Sequence, residues 1–391
     1  MEMHLILITL GGLFVIGLAA DEIGRRTWLP RVTSLMMLGV LAGPVGFDIL
    51  PTQVSDWYEL LASVALTMVA FLLGGSLSRS QLRRHGRQIL TTSLAVVTIT
   101  IIVVGGGLIL LGVEPEIALL LSGIATATAP AATLDIIRQA GAKGEFAQTL
   151  EGIVAIDDAW GLIAFSLMLI GANILVGNNI LTALQHGLWE LFGAISVGAI
   201  IGFPAAFLTG RLRPGEPMQA EALGVVFLCA GVAAWLNVSF LLAGIVAGMV
   251  VVNLAKHHNR AFHEIEHIEW PFMILFFFLA GASLHTDHWW KFGLIAGAFL
   301  VLRTISRIAG GWVGGMLCAA PDNHRRWMGI ALLPQAGVAV GMALVAGDHF
   351  PDLREVILTV TIGTTVLFEI FGPIATRIAL NKAKDSEGPL R

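Results

Sequence analysis

Long apolar runs separated by short polar breaks dominate the pattern of this chain. Each run has roughly the 20 apolar residues that an α-helix needs to cross about 30 Å of hydrocarbon. Breaking the chain at its polar residues predicts about thirteen helices, at 4–20, 32–50, 57–77, 89–112, 117–138, 147–174, 187–209, 220–236, 239–255, 268–285, 291–318, 327–347 and 353–380. The pattern therefore predicts an all-α, polytopic membrane protein whose partner is the lipid bilayer.

Composition supports this prediction. Of the 391 residues, 56% are hydrophobic and only 13% are charged, which is unlike a water-soluble domain. The first apolar run follows Glu2 and His4 rather than a basic stretch, so we expect it to be the first span and not a cleaved signal peptide. Nucleic acid is not an expected partner, and Cys229 and Cys318 lack the spacing of a metal site.

Basic residues are distributed unevenly between alternate loops. Loops that follow odd-numbered helices, with the C-terminal segment, hold 19 Lys and Arg, whereas the other loops hold two. The positive-inside rule then places the odd loops in the cytoplasm. We expect the N-terminus outside and the C-terminus inside.

Three short segments recur at nearly one spacing. LGVLAG at 38–43 resembles AGIVAG at 243–248, FLLGGSL at 71–77 resembles FLAGASL at 278–284, and GIA at 123–125 recurs at 329–331. The offsets relate helices one to six to helices eight to thirteen. Because a shift by seven helices inverts the second copy, we expect two inverted six-helix repeats, which are typical of transporters.

The repeats predict the organisation of the chain. We expect a first repeat at 1–186, a linker helix at 187–219 and a second repeat at 220–391. Helix five contains Pro130 in TATAPAAT, and its counterpart in the second repeat, helix twelve, contains Pro334 in LLPQAG. Proline removes an amide donor and leaves carbonyl oxygens that can coordinate a cation, so the pairing favours two broken helices over two simple kinks.

Two adjacent aspartates lie near the middle of helix six. Asp157 and Asp158 are about a dozen residues from the loop at Lys143, which places them about 18 Å deep at about 1.5 Å per residue. A carboxylate at that depth costs at least about 2.5 kcal/mol, so the pair requires a cation or a proton. Adjacent carboxylates also disfavour each other's ionisation, which lets at least one exchange a proton. A structural ion pair is the alternative.

Helix eleven offers basic partners for these aspartates. Arg303 and Arg307 are four residues apart, on one helix face, about midway along an apolar run. We expect one of them to neutralise Asp157 or Asp158.

With these residues the chain resembles the monovalent cation/proton antiporter superfamily, in particular the bacterial sodium/proton antiporters of the NapA type. The likeness spans nearly the whole chain. Its most specific parts are TATAPAAT at 126–133, EGIVAIDD at 151–158, PFMILFF at 271–277 and RIAG at 307–310.

The resemblance implies exchange of Na+, or of Li+ or K+, for protons without a cofactor. Asp158 would be the ion-binding carboxylate, and Asp157 would pair with Arg307. Other members of the site, in binding or bordering roles, would be Thr126, Ala127, Thr128, Pro130, Thr133, Gln335 and Glu151, although Glu151 fits a solvated helix end equally well.

The resemblance also implies an elevator mechanism. A core domain would move against a dimerisation domain in a homodimer of the bacterial inner membrane. Arg307 departs from many relatives with an Asp-Asp pair, which have lysine there. Because arginine does not deprotonate, it favours electroneutral exchange, whereas the Asp-Asp pair favours electrogenic exchange, and the sequence leaves both open.

Other functions fit the sequence less well. HEIEH at 263–267 satisfies a zinc-protease pattern but has no evident third ligand, and His257, His258, His263 and His267 are weak candidates for a pH sensor. A ligand-gated potassium efflux protein is the related alternative. An intramembrane aspartyl protease requires aspartates on different helices, and here they are neighbours.

Overall fold

The computed structural model of the protein describes most of the chain. The described residues are 3–26, 31–44, 46–47, 52–76, 79–142, 144–177, 180–208, 218–255, 258–282, 289–335 and 337–384. Regular structure in these ranges is helical throughout, which confirms the predicted all-α class. The α-helices are α1 (Met3–Arg26), α2 (Arg31–Ala42), α3 (Thr52–Ser76), α4 (Arg79–Leu110), α5 (Pro115–Ile124), α6 (Pro130–Gln139), α7 (Glu145–Leu175), α8 (Ile180–Leu208), α9 (Met218–Trp235), α10 (Phe240–Leu254), α11 (His258–Ala282), α12 (Trp289–Leu317), α13 (Asp322–Ala331), α14 (Gly337–His349) and α15 (Arg354–Lys384).

Most helix boundaries lie close to those predicted from hydropathy. At the C-termini, the largest difference is in α2, which ends at Ala42 instead of near 50, because Pro44 has no amide to continue the helix. Helix α1 ends at Arg26, six residues after its predicted end. Two helices start about ten residues earlier than predicted, α4 at Arg79 and α11 at His258. Hydropathy marks only the apolar part of a helix, whereas the hydrogen-bond ladder continues into the polar flank.

The two predicted helix interruptions are present. The predicted helix five consists of α5 and α6, and the predicted helix twelve consists of α13 and α14. Pro130 is the first residue of α6, a position where the missing amide costs nothing. If each interrupted pair is counted once, the described residues form thirteen helical segments, in agreement with the predicted number.

Several helices have the length and composition of membrane spans. Among the described residues, four such segments are long enough by themselves, Gly86–Leu110, Leu188–Leu208, Phe292–Leu317 and Pro351–Ala383. Eight other apolar helical segments are shorter, with 10–17 residues each. The sidedness of these helices stays a prediction.

The chain folds into two compact units. The first unit contains 1–75 and 194–289, and the second contains 76–193 and 290–391. Each unit therefore takes helices from both halves of the chain. The division at 1–186, 187–219 and 220–391 concerns repeats along the sequence and stays a prediction.

Within the first unit, the recurring segments pack on one another. Backbone of α2 at Gly39 and Gly43 lies directly against backbone of α11 at Phe278 and Ala282. Their counterparts pack in the same way, since Gly248 of α10 lies against backbone of α3. Small residues allow such close approach between helices in lipid. The pairing is reciprocal, as a pseudo-two-fold relation between the repeats requires, although the inverted repeat itself stays a prediction.

Within the second unit, α4 and α12 also approach closely. A Cβ added at Gly310 of α12 would lie 2.7 Å from Cα of Val96, and one added at Gly314 would lie 2.7 Å from Cα of Thr92. Glycine is therefore required for this contact. The contact holds the middle of α4, which includes Ser93, against the half of α12 that follows Arg307.

We expect Gly310→Ala to lower the melting temperature of the purified protein in detergent. The added methyl group has no room, and such overpacking costs about 1–3 kcal/mol. Gly106→Ala in α4 is the matched control, because nothing lies within 4 Å of its added Cβ. Tryptophan fluorescence during heating measures both, and equal melting temperatures for the two variants would contradict the packing argument.

Candidate ion-binding site

Asp157 is a fully buried carboxylate in the interior of α7, twelve residues after the first residue of the helix, Glu145. The residues before it, Ile153, Val154 and Ile156, are also buried. Asp158 follows on the same helix, but its side chain lies outside the described part of the structure. An ionised carboxylate in such surroundings requires charged or hydrogen-bonded partners.

Arg303 and Arg307 are both fully buried on α12. They are one helical turn apart, so their side chains leave the same face. On other faces of α12, Val301, Ile305 and Ile308 are exposed. The apolar surface of this helix therefore points outward, and its charged face points into the second unit.

A buried ion pair joins α12 to α7. Nη1 of Arg307 lies 2.7 Å from Oδ2 of Asp157. Ser93 of α4 donates a hydrogen bond of 3.1 Å to Oδ1 of the same carboxylate. Each oxygen of Asp157 thus has its own donor, which favours the ionised form. Of the pairings that the sequence left open, Arg307 with Asp157 is the one seen among the described side chains.

The interruption between α5 and α6 presents backbone carbonyls to Arg307. In a continuous helix the amide four residues later would bond to the Thr126 carbonyl, but that residue is Pro130, which has no N–H. Nη2 of Arg307 donates to Thr126 instead. It also donates to the carbonyls of Ala125 at 3.2 Å and Ala127 at 3.1 Å. The guanidinium therefore replaces amide donors that the interruption removes.

Arg303 connects both helix interruptions. Its Nε and Nη2 donate to the carbonyls of Ala125 at 3.1 Å and Ala127 at 2.8 Å. Its Nη1 donates to the carbonyl of Leu333, after the end of α13, at 2.8 Å. The Phe368 ring of α15 covers the guanidinium, with 4.2 Å between Cζ and the ring centroid, a cation–π geometry. One planar side chain thus holds three elements together.

Gln335 makes a second link between the interruptions. Its Nε2 donates to the carbonyl of Ile124, the last residue of α5, at 3.3 Å. The side chain is fully buried, and its Oε1 has no hydrogen-bond partner among the described residues. The resemblance placed Gln335 at the site border, and the structure brings it to the end of α5.

The charges of the site are balanced in part by backbone. Two guanidinium groups face one described carboxylate, that of Asp157. The C-terminal ends of α5 and α13 carry partial negative charge on their carbonyl groups. Arg303 and Arg307 donate to carbonyls at or just after these ends. The carbonyl groups of the interrupted helices therefore add to the negative potential that Asp157 provides around the two guanidinium groups.

The other predicted site residues differ in their surroundings. The Thr126 hydroxyl donates to its own backbone, at the Gly123 carbonyl, at 2.6 Å. Thr128 and Thr133 are buried beside the interruption. Glu151 is partly exposed on α7, toward its N-terminus. Their roles in ion binding stay predictions.

The histidine side chains at 257–267 lie outside the described part of the structure. His257 lies outside the described residues, and so do the side chains of His258, His263 and His267. The zinc-protease pattern and the pH-sensor hypothesis therefore stay sequence predictions.

Two members of the network were missed in the sequence. Ser93 is one of several hydroxyl residues in an apolar helix, and Phe368 is one of 20 phenylalanines. Neither has a local signal that separates it from a packing residue. Their roles follow from contacts between distant parts of the chain.

Known proteins that resemble this chain in sequence or in fold are named as cation/proton antiporters. Residues 8–382 match the family model described as sodium/hydrogen exchanger, transmembrane. The chain is 20% identical to the ammonium/H(+) antiporter subunit AmhT of Alkalihalophilus pseudofirmus, over 93% of each chain. It is 26% identical to the Na(+)/H(+) antiporter NhaP of Pseudomonas aeruginosa, over 58% of this chain and 56% of that protein. Its fold is similar to that of the sodium proton antiporter MjNhaP1 from Methanocaldococcus jannaschii, with a TM-score of 0.80 at 17% identity, over 98% of this chain and 100% of that one.

We expect Arg303→Lys to destabilise the protein by about 2–4 kcal/mol, because an ammonium group cannot span the three carbonyls that the planar guanidinium reaches. Arg326→Lys is the matched control, since Arg326 is exposed on α13. The melting temperatures of both variants in detergent provide the test. If both remain at the wild-type value, the carbonyl contacts of Arg303 do not hold the interruptions together.

Proposed function

The chain belongs to the sodium/hydrogen exchanger family, and from this premise we propose that it exchanges Na+ for protons at Asp158 of α7. It is a multi-pass membrane transporter of the monovalent cation/proton antiporter superfamily and not an enzyme. The potassium efflux and aspartyl protease alternatives are not favoured by the comparisons.

The observation that carries the proposal is that both carboxylate oxygens of Asp157 already have hydrogen-bond donors. Arg307 donates to one oxygen and Ser93 to the other. The ion pair with Arg307 favours the charged form of this carboxylate, so we propose that Asp157 acts as a fixed negative charge. The exchangeable carboxylate is then the adjacent one, Asp158, in accordance with the resemblance. Competition between cation and proton for that one carboxylate couples the two fluxes.

Backbone oxygens next to the interruption of α5 and α6 are proposed to complete the cation's coordination. A carbonyl oxygen has two lone pairs, so the Thr126 carbonyl can bind a cation while it accepts from Arg307. The Ala127 carbonyl accepts from both Arg303 and Arg307, so it joins the coordination only if it gives up one of these bonds. Thr128 is the third candidate. Pro130 and Thr133 border this stretch on α6. Oxygen ligands of this kind suit a hard cation such as Na+.

We also propose an elevator movement of the second unit. All the described contacts of Asp157, Arg303 and Arg307 fall within that unit. The site can therefore move without breaking its own network. A homodimer in the bacterial inner membrane, with the N-terminus outside, remains part of the proposal.

The fixed charge of Asp157 favours electroneutral exchange. If Asp157 stays ionised throughout the cycle, only Asp158 changes partner, and one proton moves per cation. The alternative, in which Asp157 leaves Arg307 and is protonated, would leave a buried guanidinium without its counter-ion, and breaking such a pair costs about 3–5 kcal/mol. We therefore propose one-for-one exchange.

The first test is transport by purified protein in liposomes that carry a pH gradient and a pH-sensitive dye. We expect Na+ to dissipate the gradient, and the assay should also include Li+, K+ and NH4+, because the similar proteins are named for different cations. Asp158→Asn is expected to abolish the response, since an amide neither binds a proton nor carries charge. Asp352→Asn, at an exposed turn, should transport like the wild type.

Two outcomes of this assay would refute the proposal. Dissipation by none of the four cations in the wild type would exclude cation/proton exchange under these conditions. Wild-type rates for Asp158→Asn would move the exchange site to another group.

The second test concerns charge movement. We expect the initial rate of Na+/H+ exchange to stay within about twofold when a membrane potential is imposed with valinomycin, because one-for-one exchange moves no net charge, whereas each net charge would couple to about 2.3 kcal/mol per 100 mV. A rate that changes severalfold with the sign of the potential would favour two protons per cation.

A further inference from the structure

Two threonines of α15 have buried hydroxyl groups without a partner. Thr361 and Thr365 are both fully buried, and they are one helical turn apart. Neither hydroxyl oxygen has a hydrogen-bond partner among the described residues. Buried hydroxyl groups are nearly always satisfied, so this pair requires an explanation.

The neighbouring Thr364 shows that the backbone of α15 can accept a hydrogen bond from a threonine hydroxyl. Its hydroxyl donates to the carbonyl of Val360 at 2.7 Å, the usual solution for a threonine inside a helix. The same kind of carbonyl lies four residues before Thr361 and four before Thr365, but their hydroxyls do not bond to it. A valine of equal shape would fill both positions without an unsatisfied oxygen.

The two hydroxyls lie on the face of α15 that meets the site. Phe368 follows Thr365 by three residues and covers the guanidinium of Arg303. Gly372 follows by seven residues, and a Cβ added there would lie 2.6 Å from Cα of Pro334. Positions 361, 365, 368 and 372 share one helix face. The hydroxyl pair therefore continues the contact between α15 and the interruption of α13 and α14.

A third buried oxygen without a partner belongs to the same region. Gln335 follows Pro334, and its Oε1 has no hydrogen-bond partner in the described part of the chain. The carbonyl of Leu333, two residues earlier, accepts from Arg303, whose guanidinium lies under Phe368. Three orphan oxygens thus belong to elements that meet around Arg303.

We propose that Thr361, Thr365 and the amide oxygen of Gln335 form a water-binding site beside the interruption of α13 and α14. A hydroxyl group both donates and accepts, so water can satisfy each member. A bare cation fits this site less well than water, because all three groups are neutral and supply no charge to compensate it. The site is therefore distinct from the cation site proposed at Asp158.

The bound water has a role in the exchange cycle, and this part rests on the proposed function. If the second unit moves as a body, its internal contacts must stay intact during the movement. The bound water adds hydrogen bonds to the contact between α15 and the interruption of α13 and α14, which helps that contact to persist. The site should therefore affect the rate of the conformational step and leave cation affinity unchanged.

The transport test uses the double variant Thr361→Val/Thr365→Val. We expect its maximal rate to fall about tenfold, the effect of roughly one lost hydrogen bond in the rate-limiting step, with KM for the cation unchanged. The double variant to serine keeps both hydroxyls and should restore the rate. Thr364→Val removes a hydroxyl that is satisfied by backbone and is the matched control, with near wild-type kinetics expected.

A second measurement detects the water without transport. X-ray footprinting with mass spectrometry oxidises side chains next to bound water, so we expect oxidation of Phe368 in the wild type and its loss in the double valine variant. Absence of that oxidation in the wild type would overturn the proposal. So would a raised KM in the valine variant, which indicates a cation ligand, or serine variants as slow as valine. Exchange by the wild type alone tests the proposed function. The water site is tested by the ratio of maximal rates between variant and wild type, together with the oxidation of Phe368.

Discussion

Two buried positive charges set the constraint on which the second unit depends. Arg303 and Arg307 are fully removed from solvent, and an isolated ion in such a place would cost far more than a protein's total stability. Asp157 neutralises one of them. The other charge is met by backbone carbonyls, which a continuous helix would use for its own amides. The two guanidinium groups therefore need the free carbonyls of the interrupted helices as acceptors, and those carbonyls need the guanidinium groups as donors.

This mutual requirement limits what can move during exchange. Arg303 binds carbonyls of both interruptions, and Arg307 binds the first interruption and Asp157. Displacing α7 from α12 would expose an unpaired carboxylate and an unpaired guanidinium at once. A small rearrangement within the network is therefore less favourable than movement of the network as a body. The same reasoning supports the proposal that protons exchange at a carboxylate outside the ion pair.

Helix contacts in both units depend on small residues at positions where backbones meet. In the first unit, the recurring segments at 38–43 and 278–282 pack together, and so do those at 71–76 and 243–248. In the second unit, Gly310 and Gly314 bring α12 onto α4. In lipid, close packing replaces the hydrophobic effect as the source of helix association. The segments at 38–43 and 71–76 and their recurrences thus lie at positions where close packing constrains the sequence.

The sequence by itself determined the helices, the two interruptions and the candidate charges. Apolar length, Pro130 and Pro334 are local features, and a charge inside an apolar run is costly whatever surrounds it. Only the tertiary structure decided that Arg307 pairs with Asp157, 150 residues away, and that Arg303 binds the Ala127 carbonyl, 176 residues away. In the sequence the two arginines look alike, because both lie within the same apolar run. What separates them is the position of one helix turn relative to other helices, which no local pattern encodes.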